Sequence, residues 1–175
     1  MLVTISGLPG SGTSTVALGV AAALGVPRLD GGTIFRSLAS ERGLTLAEFG
    51  ALAEHESSVD LELDARLAAA ARAGDVVLES RLAGWLAHNA GLDAHRVWLA
   101  CDEAERAARV GGRDGHGTEE AIAANRAREA SERLRYQRYY GIDLTDLTIY
   151  DQVIDTTTTP ADEVVELVVA AVGAS

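Results

Sequence analysis

An apolar stretch, Leu2–Ser6, runs straight into SGLPGSGTST at residues 6–15, and this junction constrains the chain more than any other feature. Gly7 and Gly12 frame four intervening residues, and a helix-like pattern follows, with Val16, Val20 and Leu24 four apart. A buried strand, a glycine turn and a helix start bring backbone N–H groups and a helix N-terminus to one point, the geometry of an anion-binding phosphate loop. That motif normally reads G-x-x-x-x-G-K-[ST]. Ser14 supplies the hydroxyl expected on Mg²⁺, but Thr13 stands in the lysine slot. Nor can another lysine help, because all 15 basic residues are arginine.

At 175 residues the chain is expected to form one domain, and 47% apolar content is ample for a single core. A net charge of −11 argues against nucleic-acid backbones and anionic membranes as partners. No apolar run approaches the length of a membrane span, and the N-terminus lacks a secretory signature. With Cys101 alone, no internal disulfide can form, which fits a reducing cytoplasm. His55, His88, His95 and His116 show no metal-ligand spacing.

Short apolar strands alternate with helices along the chain. Strands are expected at Leu2–Ser6, Pro27–Leu29, 75–79, 96–100 and Tyr150–Ile154. Helices are expected at 13–24, around Ile34–Leu38, from the capping box Thr45-x-x-Glu48 to about Glu56, and over Val59–Ala73. Further helices follow at Leu82–Ala90, after Asp102, over Glu119–Tyr140 and after Thr159-Pro160. The sum is an α/β fold, a parallel five-stranded sheet flanked by helices. Ligands in such folds bind at the carboxyl ends of the strands, where Ser6, Asp30, Glu79, Arg81 and Asp155 fall.

Three further clusters bear chemistry. In LDGGTIFR (29–36), Arg36 opens a helix beside the ligand edge and can fork onto a phosphate. In LESRLAGW (78–85), Glu79 can hold a metal-bound water, or else cap the next helix, and Arg81 can bind an acceptor phosphate. In RAREASERLRY (126–136), Arg128, Glu132 and Arg135 stand at i, i+4 and i+7 and share one helix face, where ordinary ion pairing is the competing reading. Arg106, Arg109 and Arg113 lie across GGRDGHG (111–117), whose glycines would permit a closing lid. A GTPase is excluded because its guanine motif needs lysine. A small kinase acting on a small molecule remains.

With these residues in view, the chain resembles the cytidylate kinases, most closely their archaeal-type branch. The likeness covers nearly the whole length and rests on ISGLPGSGTST, GGTIFRSLASERGLTLAEFG, VVLESRLAGWLA and REASERLRYQRYYGIDLTDLTIYDQVIDT in that order. It implies a nucleoside-monophosphate kinase fold with a core (1–30, 75–110 and 142–175), acceptor-binding helices (31–74), and a lid with its helix (111–141). It also implies transfer of the ATP γ-phosphoryl group to CMP or dCMP with Mg²⁺. A cytoplasmic monomer is expected. The loop for ATP would be Gly7, Leu8, Pro9, Gly10, Ser11, Gly12, Thr13, Ser14 and Thr15, with Arg109 beside it and Ser14 and Glu79 on the metal. The match to D-x-G-x-x-[YF]-R puts Asp30, Gly32, Phe35 and Arg36 on the acceptor. Arg81 matches the arginine of D-G-R-D, and Arg128, Glu132 and Arg135 match a set that holds acceptor sugar and phosphate.

The chain departs from the bacterial pattern at Leu82, where D-G-R-D ends in aspartate, and at Gly31, which replaces a hydroxyl residue. Both positions bear on how the base is recognised. They motivate a different acceptor, UMP or a pathway-specific alcohol or phosphate, as one alternative function, and Thr13 motivates another, a low-turnover nucleotide-binding regulator. For the missing lysine the expectation is a shared solution. Backbone amides, Mg²⁺ and arginines carry the charge, with Arg113, Arg128 and Arg135 closing on the transferring group beside Thr13.

Overall fold

The computed structural model describes residues 1–114 and 118–173, without the side chains of Arg113, Asp114 and Thr118. Five parallel strands, β1 (Leu2–Gly7), β2 (Arg28–Asp30), β3 (Val76–Glu79), β4 (His95–Ala100) and β5 (Gln152–Asp155), lie in the order β2-β3-β1-β4-β5. All four pairings are parallel, with Ile5 opposite Glu79 on one side of β1 and Val97 on the other. β1 is buried along its whole length, so its side chains feed both faces of the sheet. Val3, Ile5, Val77, Val97 and Leu99 pack on one face against α1 (Thr13–Leu24) and α8 (Ala161–Gly173). Leu2, Val76 and Leu78 face α4 (Ser57–Ala73) and α5 (Ala83–Asn89) on the other.

Local signals position the elements as expected. α1 ends at Gly25, whose φ of 68° is the left-handed cap conformation. α2 (Gly31–Glu41) is capped by the Asp30 carboxylate, which accepts the Gly32 N–H at 2.8 Å. α3 (Leu46–His55) opens with the complete Thr45/Glu48 capping box. Cys101 lies partly buried just past β4.

One expectation is corrected by α6 (Glu103–Asp114). The glycine-rich segment was expected to open at residue 111, yet Gly111 and Gly112 continue the helix. Ala107, Val110 and Gly111 are buried, as is Ala121 on α7 (Thr118–Tyr140), and α6 packs along α7. That packing outweighs the roughly 1 kcal/mol that each glycine costs a helix. Residues 115–117, the remainder of the expected lid, lie outside the described residues.

α7, 23 residues long, bridges the ligand edge and the α3–α4 pair. The Tyr139 hydroxyl donates to the carbonyls of Ala53 and Glu54 at 3.0 Å, and Ser131 Oγ donates to Glu54 at 2.6 Å. Deeper in the seam, Tyr140 donates to Asp64, and Arg135 meets Asp60 at 3.2 Å.

The Asp64 carboxyl is buried, and desolvation raises its pKa from 3.8 to about 7 against the opposing Tyr140 hydrogen bond. Between those values the folded state holds a proton that the unfolded state has lost, so stability falls as pH rises from about 4 to 7. The Asp64→Asn variant should lose this decline, worth about 2–4 kcal/mol. Melting curves collected from pH 5 to pH 8 check it: wild type should lose stability across that range and the variant should lose much less.

Candidate active site

A loop can present its N–H groups to an anion only if its carbonyls turn away and find other partners. In residues 7–12 that condition is met at five carbonyls. Arg81 NH1 donates to Gly7 O at 2.9 Å, and Ser11 N–H to Leu8 O at 3.1 Å. Arg106 NH1 donates to Pro9 O at 3.1 Å, Thr156 Oγ1 to Ser11 O at 2.9 Å, and Val16 N–H to Gly12 O at 3.1 Å. Gly10 and Gly12 take φ of 87° and 89°, which a side chain would oppose. At Gly10 a Cβ would also collide with the Arg106 carbonyl.

Arg106 is thereby a structural residue rather than part of a lid. It is 5% exposed, and its guanidinium also holds Cys101 O at 3.1 Å and pairs with Glu129. Arg109 lies one turn further along α6, its NH2 on Thr156 O at 2.7 Å and its Nε on Glu105 at 2.9 Å. Together with Ser11, Gly12, Thr15 and the Thr159–Ala161 turn, it lines a cavity of about 250 Å³ beside the loop.

On the other flank, Ser14 Oγ donates to Glu79 Oε1 at 2.6 Å. The second Glu79 oxygen takes Arg28 Nε at 2.9 Å, and Arg28 NH2 also reaches Asp30 at 3.3 Å. Ser14 and Glu79 therefore meet, as their assignment to one metal requires. Among the described residues no group of three or more His, Cys, Asp or Glu gathers. One carboxylate and one hydroxyl leave coordination positions for phosphate and water oxygens, the usual arrangement for Mg²⁺.

The acceptor candidates divide. Arg36 is 56% exposed and only lightly held, by Thr33 at 2.8 Å and Asp30 at 3.5 Å, so its fork remains available. Asp30 and Gly32 form the α2 cap, and Phe35 packs with Phe49, ring centroids 4.7 Å apart. Glu132 is the hub: Oε2 accepts Arg81 Nε at 3.0 Å and Oε1 accepts Arg128 Nε at 2.9 Å. Burial pushes the Glu132 pKa up, but Arg81 and Arg128 outweigh it and hold the group below its ordinary value, so the carboxylate stays charged. Arg135 does not join this pair. It turns to the buried Asp60 of α4, leaving its own Nε and Asp60 Oδ2 without partners. Thr13 is half-buried and neutral, and the side chain of Arg113 lies outside the described residues.

The two departures at positions 31 and 82 have steric reasons. A Cβ on Gly31 would come within 2.8 Å of the Ser80 Cβ. Leu82 is buried against Tyr136, Ile142 and Leu144, in a spot where an ionised aspartate would be desolvated.

Sequence reasoning missed Arg28, Asp60, Glu129 and Thr156. Arg28 alone carried a local signal, since it stands two residues before Asp30 on a strand and so shares its face.

A family model described as the cytidylate kinase-like family matches residues 2–158. A cytidylate kinase of Halobacterium salinarum is 48% identical over 99% of this chain and 90% of its own length. One from Haloquadratum walsbyi is 46% identical, again over 99% of this chain and 90% of its own. Among solved structures, a gluconokinase from Sinorhizobium meliloti superposes with a TM-score of 0.64 at 18% identity, covering 98% of this chain and 91% of that one. The Gly10→Ala variant should lose about 1–3 kcal/mol of stability through backbone strain and should displace the loop. Thermal unfolding and ATP titration check both effects.

Proposed function

The chain belongs to the cytidylate kinase-like family and is a phosphotransferase, and we propose that it transfers the γ-phosphoryl group of ATP to CMP or dCMP. The observation that carries this reading is the Arg81–Glu132–Arg128 chain, which runs from the carbonyl of Gly7 on the phosphate loop to the acceptor face of α7. Donor and acceptor phosphates meeting along that chain would lie against fixed positive charge.

In this reading the loop N–H groups and the α1 N-terminus bind the donor phosphates. Arg109 and the Thr156–Ala161 turn border the cavity for the donor's base. Ser14 and Glu79 would hold Mg²⁺, which neutralises charge on the donor oxygens when bound. Arg36 binds the acceptor phosphate, and Glu132, with Arg128, orients the acceptor sugar. The bond from the γ-phosphorus to the β–γ bridging oxygen breaks, and its electron pair stays on ADP. A new bond joins that phosphorus to an oxygen of the acceptor phosphate. No base is needed, because a phosphate monoester with a second pKa of about 6 is largely a dianion at neutral pH. The work is positioning and charge stabilisation.

No described helix is long and apolar enough to cross a membrane. A monomer working in the cytoplasm completes the reading. UMP is the second acceptor to consider, because the aspartate that would end D-G-R-D is replaced here by the buried Leu82.

A panel of nucleoside monophosphates with ATP and Mg²⁺, read by mass spectrometry, tests the proposal. CDP and dCDP should dominate the products. UDP alone would replace the acceptor, and binding without any product would replace the function. In the same assay Arg36→Ala should raise the acceptor KM about 10- to 100-fold, the value of a hydrogen bond to a charged group, and leave ATP affinity within about twofold.

A further inference from the structure

The lysine slot holds Thr13 in a chain without lysine, and four arginines of α6 and α7 whose side chains are described are held by other groups. Arg106 is buried beneath Pro9, Arg109 is held at Thr156, Arg128 is paired with Glu132, and Arg135 with Asp60. We propose that Arg81 takes the lysine's place and grips the β- and γ-phosphate oxygens of the bound donor. This rests on the phosphoryl-transfer reading given above.

Three observations converge on Arg81. The first is position. Its NH1 lies 2.9 Å from the carbonyl of Gly7, the first residue of the loop. A Cβ built on Gly7 would stand 3.1 Å from Thr13 Cγ2, so the side chain at position 13 folds back over the same glycine. Position 13 and the Arg81 guanidinium therefore border the same glycine, and a lysine at position 13 would bring a second cation to it. A short neutral side chain at position 13 and an arginine arriving from the end of β3 are two halves of one solution.

The second observation is orientation. Glu132 fixes Nε at 3.0 Å while the Gly7 carbonyl fixes NH1, so the planar fork has no rotational freedom left. Burial pulls its pKa down, but the Glu132 charge and hydrogen bond hold it above the ordinary value, which keeps the cation in place.

The third is spare capacity. Of five guanidinium N–H donors, Arg81 uses one at Nε and one at NH1. The remaining three have no acceptor among the described residues, and its side chain is 16% exposed. A lysine reaching over the loop touches the donor alone. An arginine tied to both Gly7 and Glu132 stands between donor and acceptor, where charge moves during transfer.

Calorimetric titration of ATP and of ADP, with Mg²⁺ and no acceptor, tests this independently of which acceptor the enzyme uses. Arg81→Ala should weaken ATP about 10- to 100-fold and weaken ADP less. Adding Thr13→Lys to that variant should recover at least about tenfold of the lost ATP affinity, since a lysine reaches the same oxygens once the guanidinium is gone. In the otherwise unaltered protein, Thr13→Lys should lower ATP affinity by crowding. Should Arg81→Ala fail to fold with Glu132 left unpaired, Arg81→Ala/Glu132→Gln serves as the parent for the same rescue. The proposal is overturned if removing Arg81 leaves ATP affinity unchanged and raises only the acceptor KM, or if Thr13→Lys gives no rescue. Either result leaves the kinase reading intact, because that reading is decided by the acceptor panel.

Discussion

The phosphate loop holds its shape because most of its carbonyls have partners elsewhere in the fold. Three of those bonds come from side chains far away in sequence: Arg81 from the end of β3, Arg106 from α6 and Thr156 just after β5. A loop that turned even one carbonyl inward would place a partial negative charge against the phosphate and lose an N–H from the cradle. Everything that builds the sheet therefore serves the loop. The β1–β3 and β1–β4 pairings bring the ends of β3 and β4 to Gly7, and β5 delivers Thr156 beside Ala100. Sheet register and anion binding are one structural problem, solved together.

Much of this architecture was legible in the sequence. The strands announced themselves as short apolar runs, and the helix boundaries through Gly25, the Thr45/Glu48 capping box and Gly74. These signals are local, and local signals survive folding. The site was legible where a motif reports its own geometry, as at Gly7–Thr15. It was illegible where two distant segments had to meet. Nothing near Asp60 says that it will sit under Arg135, and nothing near Glu129 says that it will face Arg106. The i, i+4, i+7 spacing put Arg128, Glu132 and Arg135 on one face of α7, but a shared face does not mean shared partners. Glu132 holds Arg128, while Arg135, one turn further along, meets α4 instead. The continuation of α6 through Gly111 and Gly112 was hidden for the same reason, since α7 packs there.

Exclusive use of arginine changes what the buried charges can do. A lysine ammonium is a compact, strongly hydrated charge, whereas guanidinium is planar and presents donors in fixed directions. Arg106 exploits this by serving two carbonyls and one carboxylate from a nearly inaccessible position. Arg28 does the same across Glu79 and Asp30, joining the carboxylate beside Ser14 to the cap of α2. A net charge of −11 does not hinder anionic substrates if the site itself is lined this way. Apart from the buried Asp60, Asp64, Glu79 and Glu132, the described acidic residues reach the surface, where water and salt screen them. Arg81, Arg106 and Arg109 stand at the loop, where screening is weaker.

Glu132 has a consequence for motion. Its two oxygens bind Arg81, which touches the loop, and Arg128, which is 57% exposed on α7. Removing either arginine alone would leave a buried carboxylate short of a partner, a costly state. The link therefore resists partial opening. α7 cannot shift along its axis near Glu132 without pulling on Arg81, and through Arg81 on the Gly7 carbonyl. On its far side the same helix is tied to α3 and α4 by Tyr139, Tyr140 and Arg135. A displacement of α3 and α4 as an acceptor binds would be carried by α7 to the loop through rigid, hydrogen-bonded contacts. A flexible side chain from within the loop could not transmit it, because its stem would absorb the movement. Charge supplied from Arg81, as proposed, would thus couple the two halves of the site mechanically as well as electrostatically.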